Sequence, residues 1–256
     1  MKEFELTLSN VTNLSGAVNE IFEKLPYQSV IVLNDLELWW ESSENGLDVV
    51  REILNLTKNF GSKCFFIMNM NQFAYQRMKE LVSIDDYFIS TIVCQPFDSE
   101  ELKDLILIRH RSGGLKATFG KIQEEKISEI RMAGIFNSYF NYSAGNPGLA
   151  LFVWLASVVR FGGEKLMMKS PQKPGLNVLQ NLNTTWKVIL SQLLLHKRMD
   201  MEKLERVLQI ELSVIEKNMN AMRMAGLISE KTIGLYIVNP ILDKFLGDYL
   251  HENGFL

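Results

Sequence analysis

The chain has 256 residues, 47% hydrophobic and 22% charged, with a formal net charge of −3. That composition belongs to a globular protein with room for one large domain or two to three small ones. It excludes a disordered chain and gives no general attraction to nucleic acid or anionic membrane.

Taken in chain order, Phe4, Leu6 and Leu8 alternate with polar residues and predict a strand. Val18, Ile21, Phe22 and Leu25 follow helical spacing, and Pro26 ends that helix. Val30, Ile31, Val32 and Leu33 form an unbroken apolar run, expected as a strand buried on both faces. It ends abruptly in Asn34-Asp35-Leu36-Glu37. Ligands of open α/β sheets bind at the carboxyl ends of the strands, so these polar residues are site candidates. A helix follows over 46–60, a second apolar strand over Lys63–Met68 closing on Asn69, and a helix over 71–82. Phe88–Cys94 reads as a third buried strand. The alternation predicts a parallel sheet layered by helices.

Pro96 then changes the pattern. Asp98 and Glu101 have capping-box spacing at the start of a helix over 99–111, which Ser112-Gly113-Gly114 breaks. Helices are expected over 124–140 and 149–161, separated by Ala144-Gly145-Asn146-Pro147-Gly148, with no strand between Pro96 and Phe161. Residues 168–177, with Pro171, Pro174 and Gly175, read as a linker. Beyond it come a helix over 185–196, a helix over 201–208 capped by Asp200, and a helix carrying Leu212, Ile215, Met219 and Met222. A hairpin around Gly234 and a closing helix complete the order of a winged helix.

Cys64 and Cys94 sit in apolar runs and read as buried free thiols, which points to a reducing, cytoplasmic location. His110, His196 and His251 are scattered without zinc-ligand spacing. The longest apolar run, Leu149–Val159, is too short to span a bilayer.

The order of these pieces resembles the later part of an AAA+ ATPase, in particular the STAND branch. V-I-V-L-N-D-L-E resembles the Walker B strand, F-F-I-M-N-M-N the sensor 1 strand, and S-A-G-N-P-G-L-A-L the Gly-x-Pro lid motif. The resemblance implies an α/β fold with a truncated parallel AAA+-like sheet over residues 1–95. A helical lid over 96–167 and a C-terminal winged helix over 178–256 would follow. It implies ATP and Mg2+ as ligands of a complete domain. Asn34 would stand at the magnesium-side position and Asp35 at the position polarising the attacking water, the pair forming the metal site. Glu37 would be a further acid, and Asn69, with Asn71 second, would orient the water. Pro147, beside Asn146, would touch the nucleotide from the lid, and Arg109 or Arg111 would reach phosphate.

Three departures count. The first Walker B acid is the amide Asn34, no sensor 2 arginine follows Pro147, and no G-x-x-x-x-G-K-[ST] stands in the 256 residues. That loop cradles the phosphates with backbone N–H groups and a lysine. The expectation is therefore a fragment, split partner or degenerate relative, unable to hydrolyse ATP alone. Its partner would be a P-loop segment or subunit, with homo-oligomerisation also in view. The alternatives are a winged-helix DNA-binding regulator and a ligand-free oligomerisation scaffold. From Thr184 to Leu256, nine lysines and arginines balance nine aspartates and glutamates, which argues against DNA because phosphate contacts dominate such binding. If no P-loop strand is present, the expectation is that the strands pair directly into a four-strand sheet ordered by sequence, or that a gap stays between Cys64–Ile67 and Ile89–Val93 and the isolated chain is marginal or aggregates.

Overall fold

The computed structural model describes residues 11–43, 45–120, 122–163, 165–171, 179 and 182–256. The strand expected at Phe4–Leu8 lies outside them, as does most of the expected linker. The fold is mixed α/β, with parallel strand pairing and many helices. The chain divides into two compact units. The first comprises residues up to Thr91, Leu182–Asn239 and Leu246–Leu256, and the second Ile92–Asn181 with Pro240–Phe245.

In the first unit, α1 (Val11–Lys24) leads to β1 (Ser29–Leu33), α2 (Asp48–Phe60), β2 (Cys64–Met68) and α3 (Gln72–Val82). β1 and β2 pair in parallel, from Ser29↔Cys64 to Leu33↔Met68. One sheet face is covered: Phe22 of α1 stacks on Phe66 at 5.8 Å and meets Phe60 of α2 at 5.3 Å. Leu36, Trp40, Val50, Leu54 and Met78 form the adjoining core. The opposite face stands open, with Val30, Val32, Phe65 and Ile67 at 58%, 53%, 57% and 44% exposure. The expected burial of β1 on both faces is thus corrected, because period-two alternation sends its second set of side chains to a face that no described helix covers.

The third strand does not form. Phe88–Cys94 pairs with nothing in a sheet among the described residues, and Ile89 is 97% exposed. β-branched residues favour a pleated surface only where a neighbouring strand supplies hydrogen bonds. Cys94 is consequently exposed, against expectation, while Cys64 is buried; both are free thiols. Neither outcome expected for the sheet is seen among the described residues: with Phe88–Cys94 unpaired there is no four-strand sheet, and no second strand to bound a gap beside β2.

In the second unit, α4 (Ser99–Ser112) opens on the expected capping box. Asp98 accepts from the Glu100 and Glu101 N–H groups at 2.9 Å each, and the Glu101 carboxylate accepts from the Asp98 N–H at 2.9 Å. The expectation of no strand before Phe161 is corrected. β3 (Lys116–Phe119) and β4 (Ile122–Gln123) precede α5 (Glu129–Ser143), and α6 (Pro147–Ala156) gives way to β5 (Val158–Gly162) and β6 (Lys165–Met168). The sheet order is β4-β3-β6-β5. The apolar helix stops early because Ser157 turns its hydroxyl back onto the Val153 carbonyl at 2.7 Å, a local bond that competes with helix continuation. Ala117, Phe119, Leu166 and Met168 face inward from the sheet onto Phe136, Tyr139 and Trp154 of the helices.

The chain then returns to the first unit through α7 (Thr184–Leu195), α8 (Met201–Leu208), α9 (Leu212–Met224), the antiparallel hairpin β7 (Ile228–Thr232) and β8 (Leu235–Val238), and α10 (Asp243–Glu252), which belongs to that unit from Leu246 onward. Asp200 caps α8 by accepting from the Lys203 N–H at 2.6 Å. Ile215, Met219 and Met222 are buried at this module's core, with Leu212 half-buried. Among the described residues no helix is long and apolar enough to cross a membrane.

Candidate functional site

In-register pairing of β1 and β2 places the residues that follow them side by side. Asn69, just past β2, donates its side-chain amide to the Asn34 side-chain oxygen at 2.6 Å and accepts from the Asp35 N–H at 2.8 Å. Backbone bonds between Asn69 and both Leu33 and Leu36 complete the cradle. Three predicted site residues, Asn34, Asp35 and Asn69, are therefore brought together at the strands' carboxyl ends. Asn71 serves differently. It caps α3 by accepting from the Ala74 N–H at 2.8 Å and donates to the Leu194 and Leu195 carbonyls.

Asp35 adopts a left-handed backbone, φ +54°, as the N-cap of a single 3₁₀ turn over Leu36–Leu38. Aspartate tolerates that region better than most residues, and Asn69 fixes it there. The turn rolls Glu37 inward until it is 2% exposed, with Oε2 unpartnered. Burial raises the Glu37 carboxyl above the usual carboxylate range, and neighbouring Asp35 pushes the same way.

Sequence reading missed the groups that close the loop from the C-terminal module. Lys197 Nζ lies 2.6 Å from the Asp35 carboxylate. His196 is fully buried, its Nδ1 2.9 Å from the Glu37 carbonyl and its ring 4.6 Å from that of Trp40. A carbonyl only accepts, so Nδ1 carries the proton of a neutral ring. Lys203 reaches the Trp40 carbonyl at 3.2 Å, and Arg206 pairs with Glu41 at 2.8 Å. Burial lowers the Lys203 ammonium below its ordinary range. No local motif announces these partners; the one sequence signal is a His-Lys-Arg run directly after an apolar helix.

As arranged, a magnesium ion at this loop would compete with protein partners for the oxygens of Asn34 and Asp35. The Asp35 carboxylate is engaged by Lys197 and the Asn34 oxygen by Asn69. Among the described residues, no group of three or more His, Cys, Asp or Glu side chains could hold a metal.

The lid candidates lie in the second unit. Asn146 caps α6, accepting from the Leu149 N–H at 2.9 Å, and Pro147 takes the first helical position, where its missing N–H costs nothing. Gly145 holds φ +79°, and a Cβ there would run into the Phe97 carbonyl. This motif thus has a complete local structural role. Arg109 is exposed in the last turn of α4, and Arg111 pairs with Glu124 at 2.8 Å.

No protein-family model matches the sequence, and no curated protein matches it. Similarity appears among solved structures. The chain is similar to the Aeropyrum pernix ORC2 protein in ADPNP–ADP complexes, with 13% identity, coverage of 97% of this chain and 73% of that chain, and a TM-score of 0.48. It is also similar to a Thermotoga maritima RuvB variant with an arginine replaced by alanine, with 12% identity, coverage of 91% and 74%, and a TM-score of 0.39. Scores this low carry no argument about function.

The Asp35–Lys197 pair has a measurable consequence. Their side chains are 33% and 47% exposed, so solvent screens them. A double-mutant cycle on Asp35→Ala and Lys197→Ala is expected to give a coupling of about 0.5 kcal/mol that fades with salt. A coupling several times larger and insensitive to salt would show that the pair carries much more of the fold than its exposure allows.

Proposed function

We propose that this chain is the regulatory part of an AAA+/STAND-type nucleotide switch, in which the loop after β1 reports nucleotide state to the C-terminal module. The observation that carries this reading is the double engagement of Asp35. Asn69 holds its backbone N–H and Lys197 holds its carboxylate. Both ion-pair partners have positive φ, +54° at Asp35 and +61° at Lys197. Such conformations cost energy and persist where surrounding contacts impose them, as at switch segments. A ligand phosphate near Asp35 would compete for Lys197 and loosen the module.

The outer edge of β2, unpaired among the described residues, supports a second element of the proposal. A separate segment carrying the phosphate cradle completes the sheet beside β2. The C-terminal module acts as a winged helix that packs on its own α/β elements rather than on DNA, consistent with its balanced charge.

Titration with a fluorescent ATP analogue, combined with hydrogen exchange, tests the reading. The chain alone is expected to bind the analogue weakly but saturably, to show no measurable turnover, and to lose protection across Leu195–Asp200 as nucleotide binds. Binding without any change in that segment would remove the switch. No binding at all would favour the scaffold alternative. Turnover abolished by Asp35→Ala would refute the expected inactivity.

A further inference from the structure

We propose that the outer face of the β4-β3-β6-β5 sheet binds single-stranded nucleic acid through its phosphates. Inward-facing Ala117, Phe119, Leu166 and Met168 fix which side chains point out, because strand side chains alternate. The register places Lys116 beside Lys165 on adjacent parallel strands, both exposed. Like charges set side by side across strands destabilise a sheet. Among the described residues Glu125, at 3.2 Å from Lys116, pairs with that lysine and not with Lys165, and both partners are well exposed. An anion across the face would relieve the repulsion.

A second observation adds the third cation. The β5–β6 register shifts between Val158 and Arg160, a β-bulge. Val158 pairs with inward-facing Met168, so strict alternation would send Arg160 inward as well. The bulge instead sets Arg160 opposite outward-facing Met167. Bulges re-aim side chains in this way. The outward face then carries Arg160, Lys165 and Lys116, with Met167, Thr118 and Gln123 between and beside them.

Charge placement agrees. The second unit holds twelve lysines and arginines against nine aspartates and glutamates, although the whole chain is net negative at −3. The Gln123 amide both donates and accepts, as base edges require, and Met167 gives a base an apolar surface. A membrane fits less well. Phe161 sits opposite inward-facing Leu166 at the edge strand, so Met167 and Val159 at the bulge are the exposed apolar side chains beside the cations, two residues rather than a broad apolar patch.

The test is fluorescence anisotropy of a labelled oligothymidylate with the full chain and two charge-matched variants. One carries Arg160→Glu, Lys116→Glu and Lys165→Glu. The other carries Lys58→Glu, Lys217→Glu and Lys231→Glu, all exposed and all in the first unit. Three phosphate contacts predict a slope of log affinity against log salt of about −2. The sheet variant is expected to bind at least about tenfold more weakly than the parent, and the control variant within about threefold. Circular dichroism and thermal unfolding establish that each variant is folded. No oligonucleotide binding at low salt, or equal losses in both variants, would overturn the proposal. So would sheet-dependent binding to phosphatidylserine vesicles in the absence of oligonucleotide binding.

Discussion

Replacing Trp154 with alanine is expected to destabilise the second unit by about 3–5 kcal/mol. The indole lies at the centre of an aromatic cluster. It stacks on Phe136 at 5.9 Å, with Tyr139 at 5.3 Å, Phe119 at 6.0 Å and His110 at 5.4 Å. Such pairs add to simple area burial. The cluster also joins β3 to α4, α5 and α6, so the cavity left by alanine has walls on four elements and cannot collapse by moving one. Losses of this size rival the whole stability of a typical domain. Urea unfolding followed by circular dichroism measures it, with Leu155→Ala as the comparison, since Leu155 lies on the same helix and is 70% exposed. Equal losses for Trp154→Ala and Leu155→Ala would show that helix propensity, not the cluster, sets the stability.

How far the site was legible follows from what each signal encodes. V-I-V-L-N-D and F-F-I-M-N each mark a strand end, and two parallel strands in register bring such ends together by geometry alone. Asn34, Asp35 and Asn69 therefore met as expected. Glu37 did not join them, because the left-handed turn at Asp35 rotates the next residues away, and φ is not written in a residue's polarity. Lys197 and His196 were illegible for another reason. They lie 162 and 159 residues from their partners, and no local pattern carries so distant a pairing.

The strands of the second unit were missed because they are short. Val158–Gly162 continues an apolar helix with no glycine or proline between, and only the Ser157 side chain ends that helix. Alternation in Lys165–Met168 covers two inward residues, too few to separate period two from the helical period. Phe88–Cys94 failed in the opposite sense. Its composition is that of a strand, but a strand is a relation between two segments, and the described chain supplies no neighbour.

Acidification is expected to weaken the first unit through His196. Burial, with Lys203 nearby, pushes this imidazole down to about 4 from its ordinary 6.5. The neutral ring suits the site: Nδ1–H donates to the Glu37 carbonyl, while Nε2 has no partner among the described residues. Protonation would put a second N–H, and a charge, where nothing accepts it. Because the folded state resists protonation, the unfolded state binds more protons between pH 6.5 and 4, and stability falls as pH falls through that window. From pH 7 to pH 4 the loss comes to about 3 kcal/mol. Glu37 works the other way. Its raised carboxyl pKa adds stability at low pH that is lost as pH rises above the ordinary value. The decisive quantity is therefore a difference between variants. Urea midpoints of the parent and of His196→Gln, measured from pH 7 to 4, should converge as the parent's penalty grows, the variant keeping only the Glu37 and general carboxylate terms. Parallel pH profiles would mean that the imidazole titrates freely in the folded chain and that the seal between the loop after β1 and the C-terminal module opens without cost.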